Sequence, residues 1–271
     1  MPIHSNTYSI PPLRRGFTLI EMSIVLVILG LLAGGILAGQ SLIHAAEIRG
    51  IVTDQDRFAT ATQVFRDKYF AMPGDMPNAT AYWFKDNASC AGDTGDAGTA
   101  DNPGTCNGNG DGIMAYPSVA GGTGETFRAW QHLSLAGLIS GTFSGKAGVV
   151  SPADPDLGVN SPASKIQSVG WGYGYYDNSS GANGYSFNYD MRNWLVLGNE
   201  ADNNFADGPA LQTSDAENID TKLDDGKPAT GKVIGNVIGS CTNAAGTTDR
   251  AARYVLTNDA PNLCGMVFNL F

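Results

Sequence analysis

Basic side chains and histidine are scarce in this sequence of 271 residues. Sixteen Lys and Arg face 26 Asp and Glu, for a formal net charge of −10. A passive surface for nucleic-acid phosphates needs clustered Lys and Arg, so the charge balance argues against that class of partner. Of the three histidines, His4, His44 and His132, only the last lies well beyond the long apolar run described below. A Ser-His-Asp route would have to use His132, and no Gly-x-Ser-x-Gly elbow is present. No convincing catalytic set is found, and no enzymatic activity is expected. The four cysteines form no Cys-x-x-Cys pair, which argues against a zinc site.

The chain has one long apolar run. Residues 17–39 carry a single charge, Glu21. A helix of that length spans roughly 35 Å, against roughly 30 Å of bilayer hydrocarbon, so the run reads as a transmembrane helix. Arg14 and Arg15 sit directly before it. The positive-inside tendency therefore keeps residues 1–15 in the cytoplasm and sends everything after Gly39 across the membrane. A secretory signal places its small-residue cleavage site after the apolar core, whereas here the small residue, Gly16, comes before it. Cutting there would keep the helix. Glu21 is costly inside an apolar segment and needs a partner.

With Gly16 followed by Phe17, Thr18, Leu19, Ile20 and Glu21, this stretch resembles the processing site of type IV pilins and of the pseudopilins of type II secretion. The resemblance implies that a prepilin peptidase cuts between Gly16 and Phe17 and that the new Phe17 amine is methylated. It also implies that Glu21 pairs with the Phe17 amine of a neighbouring subunit during assembly. The implied partners are the peptidase, other pilin or pseudopilin subunits, an inner-membrane assembly platform and, before assembly, membrane lipid. The implied location is the bacterial inner membrane, with the leader in the cytoplasm and the globular part in the periplasm, then in an extracellular filament. Against this stands the bland reading of Glu21 as a lone acid helped by the helix dipole. An alternative function on the same anchor is a membrane-tethered or tip-located adhesin or ligand-binding module. Many pilins carry a proline near the position of Ala38, and this chain departs from that pattern. Gly30, Gly34, Gly35 and Gly39 are expected either to loosen the helix instead or to allow close helix packing.

Three segments follow: a cleaved leader at 1–16, a helix at 17–72 and a globular domain at 73–271. The expected fold class is α+β. A long helical spine, transmembrane in its first half and amphipathic in its second, packs on a domain with an antiparallel sheet, short helices and long loops. Loss of the leader removes Arg14 and Arg15 and no acid, taking the net charge from −10 to −12. In the second half of the helix Ile51, Phe58 and Phe65 recur every seven residues, and helical signals stop between Met72 and Pro77.

Residues 86–124 are rich in Gly, Asp, Asn and Thr and read as a long loop. Within it Asn107, Asn109 and Asp111 alternate with glycines in the manner of the first half of a calcium loop. Ser118 stands where the bidentate Glu of an EF-hand would be, and turn chemistry alone explains the Asn-Gly and Asp-Gly pairs. Calcium is thus kept as an alternative, and no other cofactor is expected. Residues 125–138 read as a helix with Gly141 beyond its end, and residues 169–176 and 185–198 as two strands joined by a turn near Asn178. Trp171, Tyr173, Tyr175 and Trp194 would suit a sugar-stacking surface, but sheet packing is the commoner reason for such residues. Ser214 and Glu217 form the pattern of a capping box opening a short helix. Asp220, Asp224 and Asp225 crowd its last turn and read as solvated acids, or as a second cation site with Asp202, Asp207 or Asp215. Closing strands are expected at 232–238, 253–257 and 265–271. Beyond a membrane anchor, four cysteines suggest two disulfides with three possible pairings. Cys90 with Cys106 and Cys241 with Cys264 are favoured, each stapling one loop.

Overall fold

The computed structural model describes residues 16–86, 90, 104–115, 124–150, 154–175, 187, 193–200, 208–236, 240–257 and 259–270. Helix α1 (Leu19–Tyr69) has 51 residues and runs through Gly30, Gly34, Gly35 and Gly39 without a break. The loosening expected there is not observed. A cost of about 1 kcal/mol per glycine is small beside the cooperativity of so long a helix. The chain divides into two compact units, Met1–Ala46 and Glu47–Phe271. The division falls inside α1, so its amphipathic second half folds as part of the globular unit.

In that unit Ile48, Ile51, Phe58, Ala61 and Phe65 of α1 are buried. Phe58 meets Trp130 and Trp171 edge-on, with ring centroids 4.9 and 5.6 Å away. Thr62 Oγ1 lies 2.6 Å from the Tyr173 hydroxyl, which ties the helix to the sheet by a buried polar contact. The helix ends at Tyr69, earlier than the prolines suggest, because Phe70 turns left-handed with φ of 54° while its N–H still bonds the Arg66 carbonyl. Helix α2 (Glu125–Leu135) is likewise shorter than expected. Gly137, at φ 71°, donates to the Ser134 carbonyl and Leu138 to that of Leu133. That is a Schellman stop one turn before Gly141.

The sheet comprises β1 (Val169–Tyr175), β2 (Asn193–Asn199), β3 (Val233–Asn236) and β4 (Gly265–Asn269) in the order β1-β2-β4-β3. All neighbours are antiparallel: Tyr173 faces Leu195, Leu195 faces Phe268, and Phe268 faces Val233. Side chains of period two divide between the two faces. Val169, Trp171, Tyr173, Leu195, Leu197, Met266 and Phe268 join α1 and α2 in the main core, together with Ala216 and Ile219 of α3 (Thr213–Leu223). Trp194, Val196, Ile234 and Val267 meet Phe187, Ala229 and Ala252 on the opposite face. Trp171, Tyr173 and Trp194 are buried and are thus packing residues, not a stacking surface, while Tyr175 is half-buried. The glycines that alternate along β1 have a steric purpose. A Cβ at Gly174 would stand 2.6 Å from the Trp194 ring.

Other expectations are corrected. Residues 253–257 form no strand; Tyr254 alone bridges to Thr242, with the N–H groups of Asn243 and Val255 donating to the carbonyls of Arg253 and Cys241. The strand expected at 232–238 is observed as Val233–Asn236, starting one residue later, and 237–239 lie outside the described residues. The turn near Asn178 and residues 188–192 also lie outside them. Ser214 and Glu217 do not form a capping box. The helix N-cap is Gln212 with no side-chain bond, and Ser214 instead donates its N–H (2.9 Å) and its hydroxyl (2.7 Å) to Asp259. A distant carboxylate thus does the capping.

Candidate functional site

Gly16 and Phe17 precede the first turn of α1, and both are exposed, Phe17 at 80%. Arg14 and Arg15 lie outside the described residues. Thr18 and Glu21 then close a reciprocal capping box. Glu21 Oε2 accepts from the Thr18 N–H and from its hydroxyl, both at 2.8 Å. The Glu21 N–H donates back to Thr18 Oγ1 at 3.3 Å. Orphan donors at the helix start are satisfied in this way, with the acid placed where the dipole favours it. Thr18 was not singled out from the sequence, although Thr-x-x-Glu before an apolar run is the signature of such a box. The residues that follow, from Leu19 to Ile43, leave their apolar side chains exposed. This is the one helix among the described residues long and apolar enough to cross a membrane.

The second candidate region joins the turn after α1, the loop at 104–115 and the start of α2. Asp75 accepts from the N–H groups of Gly110 (2.6 Å) and Gly112 (2.8 Å). Glu125 accepts from Asn109 (3.0 Å) and Ala115 (3.0 Å). Burial raises both carboxyls above the usual range, and the backbone bonds partly offset it. The three residues expected around calcium do not converge on one point. Asn107 turns its oxygen to Thr80 N–H at 2.9 Å, and Asn109 turns its own to Asp111 N–H at 2.9 Å. Only Asp111 joins other acids: its carboxylate, with those of Asp75 and Glu125, brings ligand atoms within 4.8 Å of one another. Those three are the residues here that could hold a cation. Gly108 makes the wrapping feasible, since a Cβ there would run into the Asp75 backbone.

His132 is engaged in holding this region together. Its Nδ1 accepts from Gly74 N–H at 2.9 Å and its Nε2 lies 3.0 Å from Thr105 Oγ1. Accepting at Nδ1 places the ring proton on Nε2. Burial, with Arg128 nearby, pushes its pKa down to about 3, so the imidazole is neutral. Both nitrogens are occupied by the fold.

Of the three acids crowding the end of α3, Asp225 is exposed and Asp224 half-buried, as expected of solvated acids, and Asp220 alone departs from that reading. Asp220 is fully buried. Asp224 accepts from the Lys232 N–H, and Asp225 accepts from Lys227 N–H (2.9 Å) and the Thr230 hydroxyl (2.6 Å). Asp202 and Asp207 lie outside the described residues, and Asp215 is not in the group. The cysteines are joined as Cys90 with Cys106 and Cys241 with Cys264, with Cα atoms 5.4 and 4.9 Å apart.

Comparison with known proteins bears on the first region. The family model for the prokaryotic N-terminal methylation motif matches residues 12–37, which span the Gly16 break, Glu21 and most of the apolar run. No curated protein and no solved structure matches the chain significantly.

Proposed function

Because the chain carries the prepilin-type N-terminal methylation signal, we propose that it is a structural, non-catalytic subunit of a type IV pilus or of a pseudopilus-like filament. Prepilin peptidase cuts between Gly16 and Phe17, the Phe17 amine is methylated, and the subunit waits in the inner membrane on residues 17–39 with its acidic domain in the periplasm. Assembly then brings each Glu21 to the Phe17 amine of a neighbouring subunit. Methylation keeps the amine cationic, and the uncleaved leader would cover it, so cleavage permits assembly.

The observation that carries this reading is the coincidence of the motif with an exposed apolar helix whose first turn is capped by Thr18 and Glu21. In this reading the apolar side chains from Leu19 to Ile43, exposed among the described residues, meet lipid first and neighbouring helices later. The test is fractionation: sheared filaments should contain this chain, and Gly16→Leu, which crowds the peptidase site, should leave it uncut in the membrane. Recovery of the uncut Gly16→Leu chain in filaments at the normal amount would contradict the proposal.

A further inference from the structure

Phe70 is the first residue beyond α1, and its φ of 54° places it in the left-handed region. The fold explains that conformation, since the chain leaves the helix there and carries Met72 and Met76 into the core. It does not explain the residue. Glycine is the usual occupant of such a position, and a bulky side chain there is strained. Packing does not explain it either, because Phe70 is 93% exposed. A left-handed aromatic residue held out in water costs the fold stability and returns it no buried surface, and outliers of this kind mark functional positions.

Beside Phe70 lies a cavity of about 270 Å³, whose walls include Arg66, Phe70, Ala71, Met72 and Pro77. Asp75, also in the wall, accepts from the N–H groups of Gly110 and Gly112. The volume falls below the usual range of small-molecule pockets, about 300 to 1,000 Å³, and suits one inserted side chain. Arg66 brings a guanidinium to that wall, and the same helix already seats two cations over aromatic faces. Arg57 lies 4.7 Å from the centre of the Phe58 ring, and Lys68 lies 4.9 Å from that of Tyr69. With the Met72 thioether and the Pro77 ring beside it, the cavity is best fitted by an aromatic side chain. The chain itself supplies one at the rim.

A knob and a hole that share one patch make that patch self-complementary, which is the requirement for a two-fold contact between identical chains. We propose that this patch pairs two copies of the chain, with Phe70 of each copy inserted into the cavity of the other, against its Arg66. Each ring also lines the cavity that receives its mate, so reciprocal insertion sets the two Phe70 rings side by side, an arrangement aromatic pairs favour. Both exposed rings are covered at once. The contact involves the globular unit alone and does not depend on the filament reading.

The test is the mass of the full chain in detergent, measured by light scattering over a range of concentrations. The wild type should show a monomer–dimer equilibrium. Phe70→Gly should weaken pairing at least about tenfold, a modest loss for a central aromatic anchor. Its melting temperature should stay the same or rise, because glycine adopts the left-handed conformation without strain. Phe70→Tyr keeps the ring and should pair as the wild type does. Photoreactive p-benzoylphenylalanine in place of Phe70 should give, on irradiation, a dimer-sized band crosslinked within residues 66–77. A wild type that is monomeric at every concentration, a Phe70→Gly chain that pairs as tightly as wild type or melts lower, or a dimer crosslinked elsewhere in the chain would each overturn the proposal.

Discussion

Thr18 and Glu21 give the carboxylate a set of partners within its own chain before any neighbour arrives. In the proposed filament core, where water is scarce, that carboxylate would still lack a counter-charge, and cleavage after Gly16 would offer one in the Phe17 amine. Glu21→Ala and Glu21→Gln should therefore leave membrane insertion, cleavage and disulfides intact while lowering incorporation into filaments, read by immunoblots of sheared filaments against membranes. Normal incorporation would make the carboxylate a bystander. A second prediction concerns Asp259, which is exposed and whose carboxyl the Ser214 N–H and hydroxyl hold below the usual range. Asp259→Ala should cost about 1 kcal/mol, the ordinary value of a helix cap. In the wild type that contribution is present at neutral pH, starts to fade below the unfolded Asp value of about 4, and is lost as pH passes the lower folded value. Thermal melts of the wild type and Asp259→Ala should thus converge in acid. The Asp259 bond was not legible in the sequence because it joins residues 45 apart, and Ser214 with Glu217 offered a local pattern that the fold declined.

Elements were legible where one periodicity decided them. Ile51, Phe58 and Phe65 share a helical face, and burial followed that spacing. In β1 the alternation of large residues with glycine announced a strand, and the structure gives its cause in the closeness of Gly174 to Trp194. Gly174→Ala should therefore destabilise the globular unit by about 1 to 3 kcal/mol, the usual cost of overpacking. An unchanged melting temperature would mean that the Trp194 ring swings clear. The order β1-β2-β4-β3 was not legible, since pairing of β2 with β4 spans α3 and β3 and no local signal encodes it. Helix ends were read one turn late for the same kind of reason: Gly137 and Gly141 are equivalent letters, and only the bonds of Gly137 and Leu138 choose between them. The calcium-like run at Asn107, Asn109 and Asp111 misled in detail, because its two Asn side chains close turns while Asp75 and Glu125, far off in sequence, share the space with Asp111.

Across the whole molecule, the methylation motif lies in the first residues, and how the globular unit is held together was written in contacts the sequence does not display. Two disulfides close loops of 16 and 23 residues in sequence separation, each contributing about 3 kcal/mol in the chain-entropy model. Reducing agent should accordingly lower the melting temperature of the globular unit, and an unchanged melt would show that neither bond restrains the unfolded chain. The central claim, that the methylation motif at residues 12–37 is used, rests on a covalent event and is tested most directly by the intact mass of the mature chain. The expected mass is that of a protein that begins at Phe17 and carries one added methyl group on its amine. A mature protein that begins at Met1, or at any residue after Gly39, would contradict it.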